Sequence, residues 1–327
     1  MIILDGAAGE GGGQILRTAL SLSALTGQPF EIKNIRANRP KPGLRAQHLK
    51  CVQAAGAICQ ARVSGDRLHS SRLTFSPGAI KAGNYHFEIG TAGSTSLVLQ
   101  TIFYPISFAQ QNSTISITGG THVPWAPCFH YLQRQWLPFM QRLGFRAKLQ
   151  MEQAGFYPKG RGKIIAEIKP IKSIQPLTLL TRGNLLSIHG VSAFANLPRS
   201  VAERQNQQIR RMLQNEIDGL ELEILQMPAF GKNTLMLLLG KYEHSQCCYD
   251  ALGAPGKPAE NVAREAAQKL LAFFASGGVF DEYLADQILI PFALAEGRSA
   301  FETPKITRHL LTNIEVIKLF LATEIKV

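Results

Sequence analysis

The 327-residue chain is short of cysteine (5), tryptophan (2) and charged side chains (18%). Each shortage removes a class of protein. The cysteines, Cys51, Cys59, Cys128, Cys247 and Cys248, are odd in number and never fall at CxxC spacing. That pattern argues against a tetrahedral zinc site and against the disulfide framework of a small secreted domain. No run reaches the roughly 18 apolar residues that a membrane-crossing helix requires. The opening MIILDGAAGEGGGQ has neither the charged n-region nor the apolar h-region of a signal peptide. A soluble, cytoplasmic protein with no membrane partner is expected. The usual nucleotide and hydrolase motifs are missing too: no GxxxxGK[ST] phosphate loop, no GxGxxG in a Rossmann setting, no HExxH, GxSxG or kinase signature. Any ATP is therefore held in another way. An RNP or KH signature and an aromatic-interleaved basic patch are also absent from the linear sequence.

What is present describes a globular chain. Hydrophobic residues make up 45%, enough for a sizeable core, and the length suggests two domains. The 35 Lys and Arg exceed the 23 Asp and Glu, for a net charge of +12. This favours polyphosphates, nucleic acid or an anionic surface as partners without choosing among them.

Hydrophobic periodicity gives an order of elements. Residues 2–4 read as a strand, 14–26 as a helix stopped by Gly27 and Pro29, 29–35 as a strand, 43–59 as an amphipathic helix, and 60–65 and 72–77 as two short strands. The order is β-α-β-α-β-β. It recurs from Tyr85: strand 85–90, helix 94–109, strand 113–120, helix 130–145, strands 146–152 and 163–170. A third copy starts with a strand at 177–180 and resumes near Phe280 as helix 281–295, strand 299–303, helix 309–321 and strand 322–327. Between them, residues 183–277 read β-α-β-β-β-α, with one helix at 199–215 and another at 258–276. The expectation is an α/β (α+β) fold of three βαβαββ repeats over residues 1–182 and 278–327, with a small α/β domain, 183–277, inserted in the third.

Four polar constellations remain as candidates for chemistry. The turn Asp5 to Gln14 leads into a helix, where bare amides and the helix dipole suit an anion or a metal-bound phosphate. Glu10 is there either a metal ligand or a solvated carboxylate. The stretch IRANRPKPGLRAQHLK gathers Arg36, Arg39, Lys41 and Arg45, stiffened by Pro40 and Pro42. With Arg17 from the first helix it forms either a phosphate grip or a solvated basic loop. Tyr283, Asp286 and Gln287, at i, i+3 and i+4, share one helix face that suits an adenosine pocket or faces water. Thr312 and Glu315 match a capping box, which places a helix start there and leaves His309 just before it, near the positive end of the dipole. That field favours neutral imidazole, the nucleophilic form.

Taken together and in order, LDGAAGEGGGQILRTALSLS, IRANRPKPGLRAQHL, GTAGSTSLVLQT, GGTHVPWAP, GFYPKGRG, EYLADQ and HLLTN closely resemble the RNA 3'-terminal phosphate cyclase family across nearly the whole chain. The resemblance implies three βαβαββ repeats with an insertion in the last. It implies a ligase-type enzyme in which His309 attacks the α-phosphate of ATP, forms a histidine-AMP and passes AMP to an RNA 3'-phosphate that then closes to a 2',3'-cyclic phosphate. It further implies ATP contacts at Glu10, Gln100, Pro127, Tyr283, Leu284, Ala285, Asp286 and Gln287, with Tyr283 and Pro127 on either side of adenine and Asp286 near the histidine. Glu10 would hold a divalent metal, Mg2+ or Mn2+. Arg17, Arg36, Arg39 and Gln47 would cradle the RNA terminal phosphate. Two departures stand out: Arg161 replaces a glycine usual in GFYPKGRG, and Cys128 follows WAP where a second proline is common. A noncatalytic branch of the same family, concerned with ribosome assembly, lacks the histidine, so His309 favours the enzyme. Enolpyruvyl transferases share the repeat but need six copies and a longer chain.

Overall fold

The computed structural model describes residues 1–214, 216 and 219–327. In the first unit, β1 (Ile2–Asp5) runs parallel to β2 (Phe30–Lys33), which pairs antiparallel with β4 (Leu73–Ser76), and β3 (Arg62–Ser64) closes the far edge. Parallel neighbours need a crossover, and α1 (Gln14–Thr26) supplies it. Gly27, in the left-handed region at φ 72°, ends α1 by returning its N–H to Ser23 O. The second helix, α2, spans Ala46–Cys59.

The second unit repeats the strand order and directions. Its β5 (Asn84–Glu88) and β6 (Ser113–Gly119) are parallel, and β8 (Gly162–Lys169) and β7 (Arg146–Gln153) follow antiparallel. Every second residue of β6 is buried, as a half-exposed strand requires. The crossover is α3 (Thr95–Ser107), capped by Ser94. The helix expected at 130–145 is not regular. It begins as α4 (Phe129–Tyr131), widens into a π turn at Leu132–Trp136 and ends as α5 (Leu137–Arg142). Pro138 has no N–H for the carbonyl of Arg134, and that oxygen instead accepts from Gln246 Nε2 at 2.6 Å.

The third unit is reduced. Among the described residues its sheet has two strands, β9 (Thr178–Leu179) parallel to β14 (Ala300–Phe301). The strand expected at 322–327 does not form: it pairs with no strand among the described residues, and the backbone after α10 (Arg308–Phe320) is irregular.

Between β9 and β14, residues 183–277 build a separate sheet of order β11-β10-β12-β13 from β10 (Leu185–Ala195), β11 (Leu220–Gln226), β12 (Asn233–Tyr242) and β13 (Gln246–Leu252). Two helices, α6 (Ser200–Leu213) and α7 (Ala259–Phe274), cover one face. The expected helix end at Asn215 lies outside the described residues. Ile188, Ile209, Met236, Leu238, Val262 and Leu270 form the core under these helices. The other face sends Val191, Ala193, Leu235 and Leu237 into the main core. Burial on both faces explains why β12 reads as an unbroken apolar run, LMLLL, rather than an alternation.

Candidate active site

The polar centre forms where α1 and α10 pack together, although their facing residues are nearly 300 positions apart in the chain. Thr18 donates to Asn313 Oδ1 at 2.7 Å, and Asn313 in turn donates to the carbonyl of Asp286 at 3.0 Å. The glycine-rich turn before α1 folds back on itself through Ala8 N–H to Asp5 O (3.1 Å) and Gly11 N–H to Ala8 O (2.9 Å). Gly9, at φ 56°, lies so close to the Thr312 side chain that any Cβ there would overlap it. Small residues thus let this turn reach the first turn of α10.

That first turn starts earlier than the capping-box pattern suggests. Thr307 is the N-cap: its hydroxyl accepts from Leu310 N–H at 3.0 Å and donates to Asp286 Oδ1 at 2.8 Å. Thr312 lies inside the helix, donating to Arg308 O at 2.7 Å, and Glu315 faces Lys318 at 3.7 Å. Thr307 lacks a Glu three residues on and Thr312 has one, so local pattern favoured the wrong threonine. His309 is therefore the second residue of α10, not a residue before it. It remains at the positive end of the dipole.

The His309 ring is held from two sides. Its Nδ1 meets Gln14 Oε1, its backbone carbonyl accepts from Gln14 Nε2 at 3.3 Å, and its Nε2 lies 2.8 Å from Glu10 Oε2. Burial pushes the imidazole below its ordinary pKa; Glu10 opposes the shift, and the Arg17 and Arg39 guanidiniums reinforce it. Glu10 is shared, with its Oε1 2.6 Å from Arg39 Nη2. Its Oε2 is buried and, despite the nearby ring, receives no well-aligned hydrogen bond. A single hard, unsatisfied oxygen suits a divalent ion that brings most of its own ligands as phosphate and water. No cluster of three or more His, Cys, Asp or Glu side chains forms a full protein cage among the described residues.

The arginines divide into two kinds. Arg39 and the half-buried Arg17 reach the centre, and desolvation lowers the Arg17 pKa against the pull of Cys51 and Glu10. Arg36, in the left-handed region at φ 55°, turns its guanidinium to Lys41 O (2.7 Å) and Gly43 O (3.0 Å), and so fixes the loop. Gln47 accepts the N–H of Ser94 at 2.8 Å through Oε1. Beside it stands His48, whose ring lies against Gly13 with Arg17 next to it. Burial first, then Arg17, Arg36 and Arg45, hold His48 down to about pKa 3. A neutral ring there adds no charge to an already basic pocket.

On the far side, the expected single helix 281–295 breaks at Ile288 into α8 (Glu282–Gln287) and α9 (Leu289–Leu294). Pro291 cannot donate to Gln287 O, and that carbonyl takes the Tyr104 hydroxyl at 2.7 Å. The Gln287 side chain accepts from Gln100 Nε2 at 2.5 Å, which joins two expected ATP contacts. Tyr283 is partly exposed and meets Tyr131 edge-on at 6.5 Å. Tyr131 belongs to α4, the helix that Pro127 leads into and that Cys128 caps by accepting Tyr131 N–H at 3.3 Å. Asp286 reaches the α10 cap, not the His309 ring, and burial raises its carboxyl to about 7. Leu284 and Ala285 are fully buried core residues, so neither side chain faces a ligand. Sequence reasoning gave no role to Gln14, His48 or Thr307. Gln14 had one usable signal, its place as the first helical residue after three glycines.

A histidine, a carboxylate and arginines drawn from distant segments thus converge on one helix start within a mixed α/β scaffold. Comparison with known proteins gives the family. The profile of the RNA 3'-terminal phosphate cyclase family matches residues 8–327. Curated proteins called RNA 3'-terminal phosphate cyclase are similar over almost the full length of both chains. That of Koribacter versatilis is 43% identical, covering 100% of this chain and 92% of its own. That of Salmonella enteritidis is 42% identical (98% and 94%), and that of Gloeothece citriformis 40% (98% and 93%). The chain belongs to the RNA 3'-terminal phosphate cyclase family.

Proposed function

We propose that the protein converts an RNA 3'-terminal phosphate to a 2',3'-cyclic phosphodiester at the expense of ATP, with His309 as the nucleophile. The observation that carries this reading is the setting of His309: a ring with depressed basicity in the first turn of α10, fixed through Nδ1 by Gln14 and facing Glu10 through Nε2. With Nδ1–H donating to Gln14 Oε1, the ring's lone pair is on Nε2. That lone pair attacks the α-phosphorus of ATP as the bond to the departing pyrophosphate breaks, leaving a phosphoramidate to AMP. An oxygen of the RNA 3'-phosphate then displaces the histidine and takes AMP. The adjacent ribose 2'-hydroxyl attacks the terminal phosphorus, loses its proton and expels AMP. The sum is ATP and RNA 3'-phosphate in, cyclic end, AMP and pyrophosphate out.

Glu10 is the residue that would hold Mg2+ or Mn2+, which when bound offsets phosphate charge. Arg39, released from Glu10, together with Arg17 would grip the RNA phosphate, with Arg36 and Gln47 setting the loop around it. Gln100, Tyr283, Asp286, Gln287 and Pro127 would enclose the adenosine. We place residues 183–277 as an inserted domain, supported by their separate core. We place the enzyme in the cytoplasm, a reading its five unpaired cysteines support. No helix among the described residues is long and apolar enough to cross a membrane.

The test is incubation with α-labelled ATP and magnesium. Wild type should acquire acid-labile, alkali-stable label and His309→Ala none, and an oligoribonucleotide ending in 3'-phosphate should become phosphatase-resistant while its 3'-hydroxyl counterpart is unchanged. Equal labelling of the alanine variant would remove His309 from the mechanism.

A further inference from the structure

Three large aromatic side chains stand in solvent on turns that the fold brings side by side. Trp125 is 100% exposed, Tyr157 76% and Phe230 69%. The turns are joined by bridges: His122 pairs with Phe156, and Ala154 with Ala229. Trp125 leaves the first bridge as a turn three residues on, Tyr157 one residue on, and Phe230 follows directly after the second. Large aromatics normally bury most of their surface, so three together in water mark a surface built for contact.

Basic residues interleave with them. Lys159, Arg161 and Lys232 are exposed, and none takes part in an ion pair among the described residues. The Arg161 guanidinium lies over the Phe230 ring, 5.7 Å from its centre. Arg161 does so from the left-handed region at φ 61°, where glycine would be less strained. The Phe230 turn is clamped by Asn196 Nδ2, which donates to Ala229 O (2.7 Å) and Gly231 O (2.9 Å). The face is therefore preformed. It also spans the main body and residues 183–277, because Ala154 N–H donates to Pro228 O at 2.8 Å.

The face is continuous with the proposed RNA-phosphate pocket. Gln47 holds Ser94 N–H, and a Cβ on Gly93 would lie 2.9 Å from Gln47 Cβ. The same loop then touches the Tyr157 hairpin, where a Cβ on Gly160 would lie 2.7 Å from Thr91 O. The path runs from Gln47 through 91–94 and 157–161 to Phe230.

We propose that this face binds the single-stranded RNA upstream of the reacting 3'-phosphate, with bases stacked on Tyr157, Phe230 and Trp125 and the backbone neutralised by Lys159, Arg161 and Lys232. Exposed rings between unpaired cations are the chemistry that recognises single strands, since every base offers a π-face and every linkage a charge. No linear motif announced it, because the six residues come from three separate segments. The assignment rests on the cyclase reading for its direction, but not for its test.

The experiment measures binding of fluorescent oligoribonucleotides of about two and about twelve nucleotides, each ending in 3'-phosphate, together with the longer one ending in 3'-hydroxyl. Wild type should bind both long forms more tightly than the short one. Tyr157→Ala with Phe230→Ala should weaken the long forms by about fivefold or more for each ring removed, leave the short one unchanged and leave self-adenylation intact. Tyr157→Phe with Phe230→Tyr should retain tight binding. Arg161→Gly relieves the backbone, so it should keep or raise the melting temperature while weakening the long forms and flattening the log–log slope of their salt dependence by about 0.7 for each phosphate no longer neutralised. Equal affinity for short and long RNA, or no weakening in the double alanine variant, overturns the assignment. Loss of cyclisation with length-dependent binding of both long forms preserved would instead count against the cyclase reading and leave the RNA face standing.

Discussion

Thr307 is the most economical place to test how the site is held, because one hydroxyl has two tasks. It accepts Leu310 N–H at 3.0 Å to start α10 and donates to Asp286 Oδ1 at 2.8 Å. Thr307→Val keeps the shape and removes both. Loss of an N-cap costs about 1 kcal/mol, and leaving a part-buried acceptor without its donor costs about 1–3 kcal/mol more. The variant should lose about 2–4 kcal/mol, a large share of the ~5–15 kcal/mol that holds a domain together. The deficit also has a pH signature. Burial raises the Asp286 carboxyl to about 7 and the Thr307 hydrogen bond opposes that rise. Above pH 7 the variant strands a carboxylate; below it, a protonated acid that needs the donor less. Urea melts at pH 8 and pH 6 should therefore show the larger loss at pH 8, and Thr307→Ser should recover most of it. Self-adenylation should slow in the valine variant because His309 sits two residues beyond the cap. A valine variant within about 0.5 kcal/mol of wild type, or an equal deficit at both pH values, would refute the reasoning.

Two further outcomes follow from titration. His309 is pushed below 6.5 chiefly by burial, with Glu10 opposing, so the acid limb of self-adenylation should have its midpoint below 6.5, and Glu10→Gln should move it lower while slowing the reaction; a midpoint above 6.5 in wild type would contradict the depressed ring. His130, buried against His122 at 2.8 Å, is lowered to about 4 by burial and Arg134. The unfolded chain binds the proton below 6.5 and the native state does not until about 4, so this contribution is present above 6.5 and lost as pH falls, by about 2 kcal/mol at pH 5. Wild type should thus lose about that much more than His130→Gln between pH 8 and pH 5, and a pH-independent difference between the two would show that the native ring titrates as it does in the unfolded chain and so refute the depressed value.

The strand order of the first two units was legible because each strand in them follows its own period and has a partner nearby in sequence. The π turn and the break at Ile288 were not, because Pro138 and Pro291 act on carbonyls whose new donors, Gln246 and Tyr104, are more than a hundred residues away in the chain. The strand at 322–327 failed for a related reason. Alternation in a sequence specifies which face a strand would bury, but the pairing that makes it a strand belongs to a neighbour, and the third sheet offers only two-residue partners.

The site shows the same division between type and place. Residue type and neighbourhood made Glu10, Arg39 and His309 candidates and the family resemblance selected them, yet nothing local says that one carboxylate serves both a guanidinium and an imidazole. Sharing follows only when the turn before α1 meets α10, and that meeting depends on Gly9 lying against Thr312, a residue the sequence offered as a cap. Once the cap moves to Thr307, Thr312 becomes the side chain that fills the space a Cβ on Gly9 would need, and His309 turns inward to Gln14. The misread threonine and the unassigned glutamine are thus two consequences of one long-range packing of turn on helix, and the same packing gives His309 the partners that set its ring.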